Sequence, residues 1–257
     1  LCFYPCIYER YDNDVNILKG AIVTADKITT VSQSYAEEIK TPEHGAGLHE
    51  IVKQNAYKLK GILNGLDYEF YNPETDKVIY TNYDAKSLNL KAKNKELLQK
   101  EFGLEVSPDK PILAFCSRMN VHKGFDMIKS CIEKLIYELD LQFVGVGSGE
   151  REYEDFFRYL NNKYPGKVHV SLGYSLEIGK KIYSGADIYL MPSITEPCGL
   201  SQIVASRYGV ISIVRETGGL KDTIKDFGCP GGGNGYTFRN ANVGDLEYSI
   251  RRAVKDY

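Results

Sequence analysis

The stretch PILAFCSRMNVHKGF, residues 111–125, decides the fold. Its segment Ile112–Cys116 is a short apolar run without polar alternation, the mark of a strand buried on both faces. The run ends in a polar loop, Ser117–Lys123, and Gly124 opens a helical pattern over Phe125–Leu139. The same succession then recurs. Leu141–Val146, Val168–Leu172, Ile188–Met191 and Val210–Val214 read as strands, while Glu150–Tyr164, Ile178–Ser184 and Leu200–Tyr208 read as helices. Strands alternating with helices predict an α/β fold whose parallel sheet is covered on both faces. Ligands of such sheets bind beyond the carboxyl ends of the strands. Four strand exits are therefore the places to search: Ser117–Lys123, Gly145–Glu150, Gly173–Ser175 and Pro192–Gly199.

Upstream the pattern is less regular. Ile17–Ile22 reads as a helix, Lys27–Val31 as a short buried strand, and Ser32 as the N-cap of a helix whose Tyr35 and Ile39 face inward. Thr41–Gly47 is a loop, and after Gly61–Gly65 a polar stretch runs to Lys95. Near the other end Leu246, Ile250, Ala253 and Val254 form one face of an amphipathic helix expected to be still running at Tyr257. The chain starts with Leu1, and both ends read as those of a piece of a longer protein.

Composition narrows the partners. The 257 residues carry 32 Lys and Arg against 34 Asp and Glu, a net charge of −2. That balance gives no basis for nucleic acid or an anionic membrane as partner. No apolar run approaches the ~20 residues that span a bilayer. Of six cysteines only Cys2 and Cys6 are close, and no second pair completes a zinc site. Free thiols in a reducing, cytoplasmic compartment are expected.

Several motifs dissolve on inspection. Gly145-Val-Gly-Ser-Gly-Glu150 follows a strand, but a dinucleotide fingerprint needs glycine where Glu150 stands, so a simple tight turn is the better reading. Gly173 to Lys181 imitates a phosphate loop with one residue too many and Lys181 in the place of the magnesium-binding hydroxyl. Asp12-Asn-Asp14 would suit a divalent cation, yet no apolar strand leads into it.

Two constellations survive. Arg118 and Lys123, five residues apart at a strand exit and followed by Gly124, can converge on one phosphate pair, Arg as a planar fork and Lys as a point charge. Solvated surface cations are the bland alternative. The second is Pro192-Ser-Ile-Thr-Glu196-Pro-Cys198-Gly199-Leu200-Ser201-Gln202, in which a buried strand delivers a carboxylate and Gly199 opens a helix with free N–H groups. A helix-capping carboxylate is the bland alternative for Glu196.

Together these motifs resemble one family. The Arg118–Lys123 loop, Glu196-Pro-Cys-Gly-Leu200 with Gln202, and Thr217-Gly-Gly-Leu220 are similar to those of bacterial-type glycogen and starch synthases, retaining glucosyltransferases of the GT-B fold. Ala25-Asp-Lys-Ile-Thr-Thr-Val-Ser32, Leu63-Asn-Gly-Leu-Asp67, Ile182-Tyr-Ser-Gly-Ala-Asp187 and Arg207-Tyr-Gly209 extend the likeness over most of the chain. Related sugar transferases carry a second Glu where this chain has Val204, a position at which glycogen and starch synthases also lack it. The family's N-terminal Lys-Thr-Gly-Gly-Leu loop is absent from this chain.

The resemblance implies two Rossmann-like domains with the nucleotide sugar between them. Residues 1–60 would end the N-terminal, acceptor-side domain, and 61–257 would form the C-terminal, nucleotide-sugar-binding domain, truncated at its end. Arg118 and Lys123 match the pair on the diphosphate, and Tyr174 the aromatic on adenine. Glu196 and Cys198 match groups at the glucose, Gly199, Leu200 and Ser201 the helix opening at the phosphates, and Asn64 a residue reaching sugar or acceptor. The implied reaction moves glucose from ADP-glucose to an α-1,4-glucan, with no cofactor and no metal. The chain by itself is expected to bind ADP weakly and transfer nothing. A phosphorylase of the same fold and a binding fragment without turnover are the rival readings, and a plastid is the expected location if the source is a plant or alga.

Overall fold

The computed structural model describes residues 10–11 and 14–257. Cys2, Cys6 and the side chains of the Asp12-Asn-Asp14 triplet lie outside what it describes. Packing divides the chain into two compact units: residues up to Asn64 with Thr195–Cys198 and Thr217–Asp222, and the remainder, Gly65–Ile194, Gly199–Glu216 and Thr223–Tyr257.

In the first unit β1 (Arg10–Tyr11) and β2 (Asp14–Val15) pair antiparallel, followed by α1 (Ile17–Thr24), β3 (Ile28–Thr30), α2 (Gln33–Glu38), α3 (His49–Gln54) and β4 (Leu59–Gly61). β3 and β4 pair in parallel. Side-chain caps set the helix starts: Asn16 accepts from the Lys19 N–H, and Ser32, the cap expected from sequence, from that of Tyr35. Ile22, Leu48 and Val52 form a small core with Ile28, Ile39 and Leu59 against it. The buried ammonium of Lys58 donates to the carbonyls of Val23 and Ala25 at 2.8 and 2.7 Å, which satisfies the end of α1.

The second unit runs α4 (Lys91–Glu101), β5 (Ile112–Cys116), α5 (Phe125–Glu138), β6 (Gln142–Gly147), α6 (Arg151–Lys163), β7 (Val168–Leu172), α7 (Leu176–Gly185), β8 (Ile188–Met191), α8 (Ser201–Arg207), β9 (Ile211–Arg215), α9 (Gly218–Thr223, shared with the first unit), β10 (Gly235–Phe238) and α10 (Val243–Lys255). Six parallel strands follow the order β10-β9-β8-β5-β6-β7. The order reverses between β5 and β8, the topological switch point at which such sheets bind ligands. Phe115, Phe143, Ile188 and Ile213 join α5, α6 and α10 in one cluster, while α7 packs against β5 and β6, and α8 against β8 and β9, elsewhere. β5, β7 and β8 have the bounds that the sequence predicts. α10 departs from expectation: it closes at Lys255 with Asp256 as its cap, short of Tyr257. Among the described residues no helix is long and apolar enough to cross a membrane.

Asp226 ties the last strand to the last helix. It accepts from the Thr237 and Gly228 N–H groups and pairs with Arg252 at 2.9 Å. Partial burial opposes its ionisation, but Arg252 and the two N–H groups outweigh that and hold the carboxyl down at about 2. Its folded value lies below the unfolded one, so its contribution is complete above pH ~4 and disappears as pH falls through about 2. Asp226→Asn should therefore be less stable than the parent at pH 7, by on the order of 1–2 kcal/mol, with the gap closing near pH 2. Urea unfolding at both pH values checks this; a constant gap would assign the loss to packing.

Candidate functional site

A cavity of about 430 Å³ opens at the carboxyl ends of β5, β6 and β7, beside the switch point. Cys116, Ser117 and Arg118 line it from the β5 exit, Val146, Gly147 and Ser148 from that of β6, and Gly173, Tyr174 and Ser175 from that of β7. Leu176, Gly179 and Tyr183 of α7 add a wall, completed by Tyr71 and Ser201. The three exits are laced together by main-chain bonds. Ser117 N donates to Val146 O at 3.1 Å, Met119 N to Ser148 O at 2.9 Å and Gly173 N to Gly147 O at 2.8 Å.

That lacing explains the glycines of residues 145–149. A Cβ on Gly147 would sit 1.9 Å from Ser117 O, and one on Gly149 1.9 Å from Met119 O. Only glycine permits this approach of loop to loop. The segment is thus more than the tight turn read from sequence: it is a cavity wall, and Glu150 caps α6 beyond it.

Arg118 is exposed on the cavity rim. Lys123 ends a single 3₁₀ turn, Val121–Lys123, its N–H bonded to the Asn120 side chain at 3.0 Å. Gly124 follows at φ 78°, where an added Cβ would lie 2.2 Å from Pro192 O. Ile194 N donates to His122 O at 2.8 Å and so binds the β8 exit to the β5 exit. Tyr174 is 89% exposed, an uncovered aromatic face at the mouth. Ser175 caps α7 by accepting from Ile178 N.

Cys116 ends β5 on the cavity wall. Burial still pushes its thiol up to about 12, and the same cause raises Cys131 to about 12. Both should resist iodoacetamide at pH 8, whereas exposed Cys229 should be labelled. Peptide mapping by mass spectrometry checks this; rapid labelling of Cys116 would mean a wetter cavity.

Glu196, Cys198 and Asn64 belong to the first unit. Asn64 is exposed just beyond β4, while Glu196 and Cys198 are buried. The main chain of 196–198 is gripped from two sides. Ser32 donates its hydroxyl to Pro197 O at 2.6 Å, and Gly219 N donates to Glu196 O and Pro197 O. Thr217-Gly-Gly-Leu220 makes that approach possible: a Cβ on Gly218 would lie 2.0 Å from Glu196 O, and one on Gly219 2.1 Å from Cys198 O. Glu38 accepts from Gly218 N at 2.7 Å and Asp222 from Ser34 N at 2.9 Å, which fixes the motif in turn.

Of the residues singled out from sequence, the structure gathers Arg118, Tyr174 and Ser201 on one cavity. Lys123, Gly199 and Leu200 belong to the same unit without lining it. Gly199 has φ 73° and precedes Leu200, the N-cap of the seven-residue helix α8. Sequence reasoning does not single out Tyr71, Cys116, Ser148 or Tyr183 as site residues. For Ser148 the flanking glycines, and for Tyr183 the stretch Ile182–Asp187 that extends the family likeness, were the available signals; Tyr71 carries none.

Sheet order and cavity define a class: a Rossmann-like domain of the GT-B glycosyltransferase kind, with a cation and an open aromatic on a cavity beside its switch point. The chain belongs to the family Glycosyl transferases group 1, whose profile matches residues 98–257. Residues 4–54 match the starch synthase catalytic domain. The glycogen synthase of Clostridium botulinum (strain Alaska E43 / Type E3) is 47% identical over 96% of this chain and 52% of its own length. That of Kosmotoga olearia is 48% identical over 94% and 51%. The chain thus spans about half the length of the curated relatives it matches. Among solved structures, the catalytic domain of starch synthase IV from Arabidopsis thaliana, bound to ADP and acarbose, superposes with a TM-score of 0.87 at 37% identity, covering 95% of this chain and 51% of that one. Anabaena HepE with UDP and glucose shares the fold at 16% identity and TM-score 0.60, over 92% and 55% of the two chains.

Proposed function

We propose that this chain belongs to a retaining glucosyltransferase that elongates α-1,4-glucan from ADP-glucose. Residues 61–257 are its nucleotide-sugar-binding part, and residues 1–60 the end of its acceptor-side domain. One observation carries the reading: Arg118 and Ser201, singled out from separate motifs, and Tyr174, singled out by the family resemblance, border a single cavity beside the switch point of the sheet. The likeness to glycogen synthases, and to a starch synthase bound to ADP and acarbose, supports donor and acceptor. A cytoplasmic setting is part of the same proposal.

The chemistry follows from charge. As the bond from the anomeric carbon to the diphosphate oxygen breaks, negative charge grows on the diphosphate. Arg118 offers two parallel N–H groups to it, Lys123 a point charge, and Gly199, Leu200 and Ser201 their N–H groups. Tyr174 stacks on the adenine. The acceptor's 4-hydroxyl forms the new bond on the face that the diphosphate leaves, and its proton passes to the departing phosphate oxygen. Glu196 orients the sugar and stabilises positive charge at the anomeric carbon, with Cys198 and Asn64 against the glucose or acceptor.

The test is transfer of labelled glucose by the complete enzyme. ADP-glucose should label glycogen faster than UDP-glucose, and the added residues should be released by an α-1,4-specific exo-glucanase. Faster transfer from UDP-glucose would overturn the donor, and no transfer from either would overturn the activity.

A further inference from the structure

We infer that Tyr71 is a second aromatic wall for the nucleotide base, facing the cavity with Tyr174, and that a buried ion pair between Asp76 and Lys180 positions it there. The inference rests on the reading of this cavity as a nucleotide site. Tyr71 lies in residues 65–90, a segment of turns with little regular structure and far in sequence from every strand exit. It nevertheless borders the cavity that Arg118 and Tyr174 line.

What brings it there is α7. Lys180 of that helix donates to Phe70 O at 2.9 Å, so the residue immediately before Tyr71 is bonded to the helix. The same ammonium lies 3.1 Å from Asp76 and 4.2 Å from the centre of the Phe70 ring, which meets the Tyr71 ring edge-on at 4.8 Å. Asp76 also accepts from Tyr208 Oη at 2.5 Å and from Val78 N at 3.0 Å. A segment that could wander is thus pinned on both sides of Tyr71 to the helix that walls the cavity.

The chemistry of a flat heterocycle explains the use of a second ring. Tyr174 alone is a platform open to water, on which a base keeps one hydrated face. Half-buried Tyr71 supplies an apolar body near it with a polar tip. Burial first, then the neighbouring Tyr174 and Asp67, push its phenol above the ordinary range, so it remains a neutral donor.

Calorimetric titration of the complete enzyme with ADP and with inorganic pyrophosphate tests this, because pyrophosphate carries no base. Tyr71→Ala should weaken ADP about tenfold and leave pyrophosphate within about twofold. Tyr71→Phe, which keeps the ring and loses only the hydroxyl donor, should lose less ADP affinity than Tyr71→Ala and leave pyrophosphate within about twofold. Arg118→Ala should weaken both ligands. Unchanged ADP affinity in Tyr71→Ala, or equal losses for ADP and pyrophosphate, would overturn the role of Tyr71 while Arg118 still reports a nucleotide site. If Arg118→Ala changes neither ligand, or the parent binds neither, the nucleotide reading fails and takes the inference with it.

Discussion

Lys180→Met is expected to lower the unfolding free energy by about 3–5 kcal/mol, the penalty for leaving one partner of a buried pair alone. The side chains of Lys180 and Asp76 are 8% and 1% exposed, so solvent cannot take over the role of either. Methionine keeps most of the volume and removes the charge, the cation over Phe70 and the bond to Phe70 O. Among the described residues the Asp76 carboxylate would then retain Tyr208 and Val78 N as hydrogen-bond donors. Those two bonds bring the expectation toward the lower end of the range. Adding Asp76→Asn should recover part of the loss, since a neutral amide tolerates burial that a carboxylate does not. Urea unfolding of the parent, both single variants and the double variant measures the coupling. A loss under about 1 kcal/mol for Lys180→Met would be the behaviour of a surface pair, and residues 65–90 would not be clamped to α7.

That network also shows where sequence reading stops. β5 and β8 are visible because strands buried on both faces must be apolar runs, and β7, at the sheet edge, because Val168, Val170 and Leu172 alternate with His169 and Ser171. α4 is invisible for the opposite reason. Its buried positions include Asn94, Lys95 and Gln99, each satisfied by a distant partner: Thr81, Asp187 and Gln142. Hydrophobic periodicity cannot register a helix whose inward face is polar. β10 is only Gly235–Phe238 beside a run of glycines, and its pairing with β9 is what makes it a strand. At the candidate site, Arg118 and Ser201 stand in local motifs and could be named in advance, and Tyr174 could be named through the family resemblance. Tyr71 reaches the cavity only through contacts with residues more than a hundred positions later, and no spacing encodes them. The glycines at 147, 149, 218 and 219 lie between these cases. Their presence was legible, but their reason is the backbone oxygen that each one faces.

In the complete enzyme, Lys123→Ala should lower turnover about ten- to a hundred-fold while weakening donor binding only modestly. Removing one charge-assisted hydrogen bond to phosphate costs about 1.5–3 kcal/mol, and about 1.4 kcal/mol of barrier is tenfold in rate. The loss should fall on turnover because the negative charge that a fixed ammonium stabilises is greater on the departing diphosphate than in the bound donor. The backbone should survive the change. The turn that carries Lys123 is held by its own N–H on Asn120 and by the left-handed Gly124 after it, neither of which needs the side chain. Arg118→Ala provides the contrast: its fork lines the cavity directly, so its loss should appear in donor affinity as well as in rate. Steady-state kinetics with ADP-glucose at saturating glycogen separates the two. A Lys123→Ala enzyme with full turnover would place this lysine among the solvated surface cations, and the diphosphate would then depend on Arg118 and the N–H groups at Gly199–Ser201 alone.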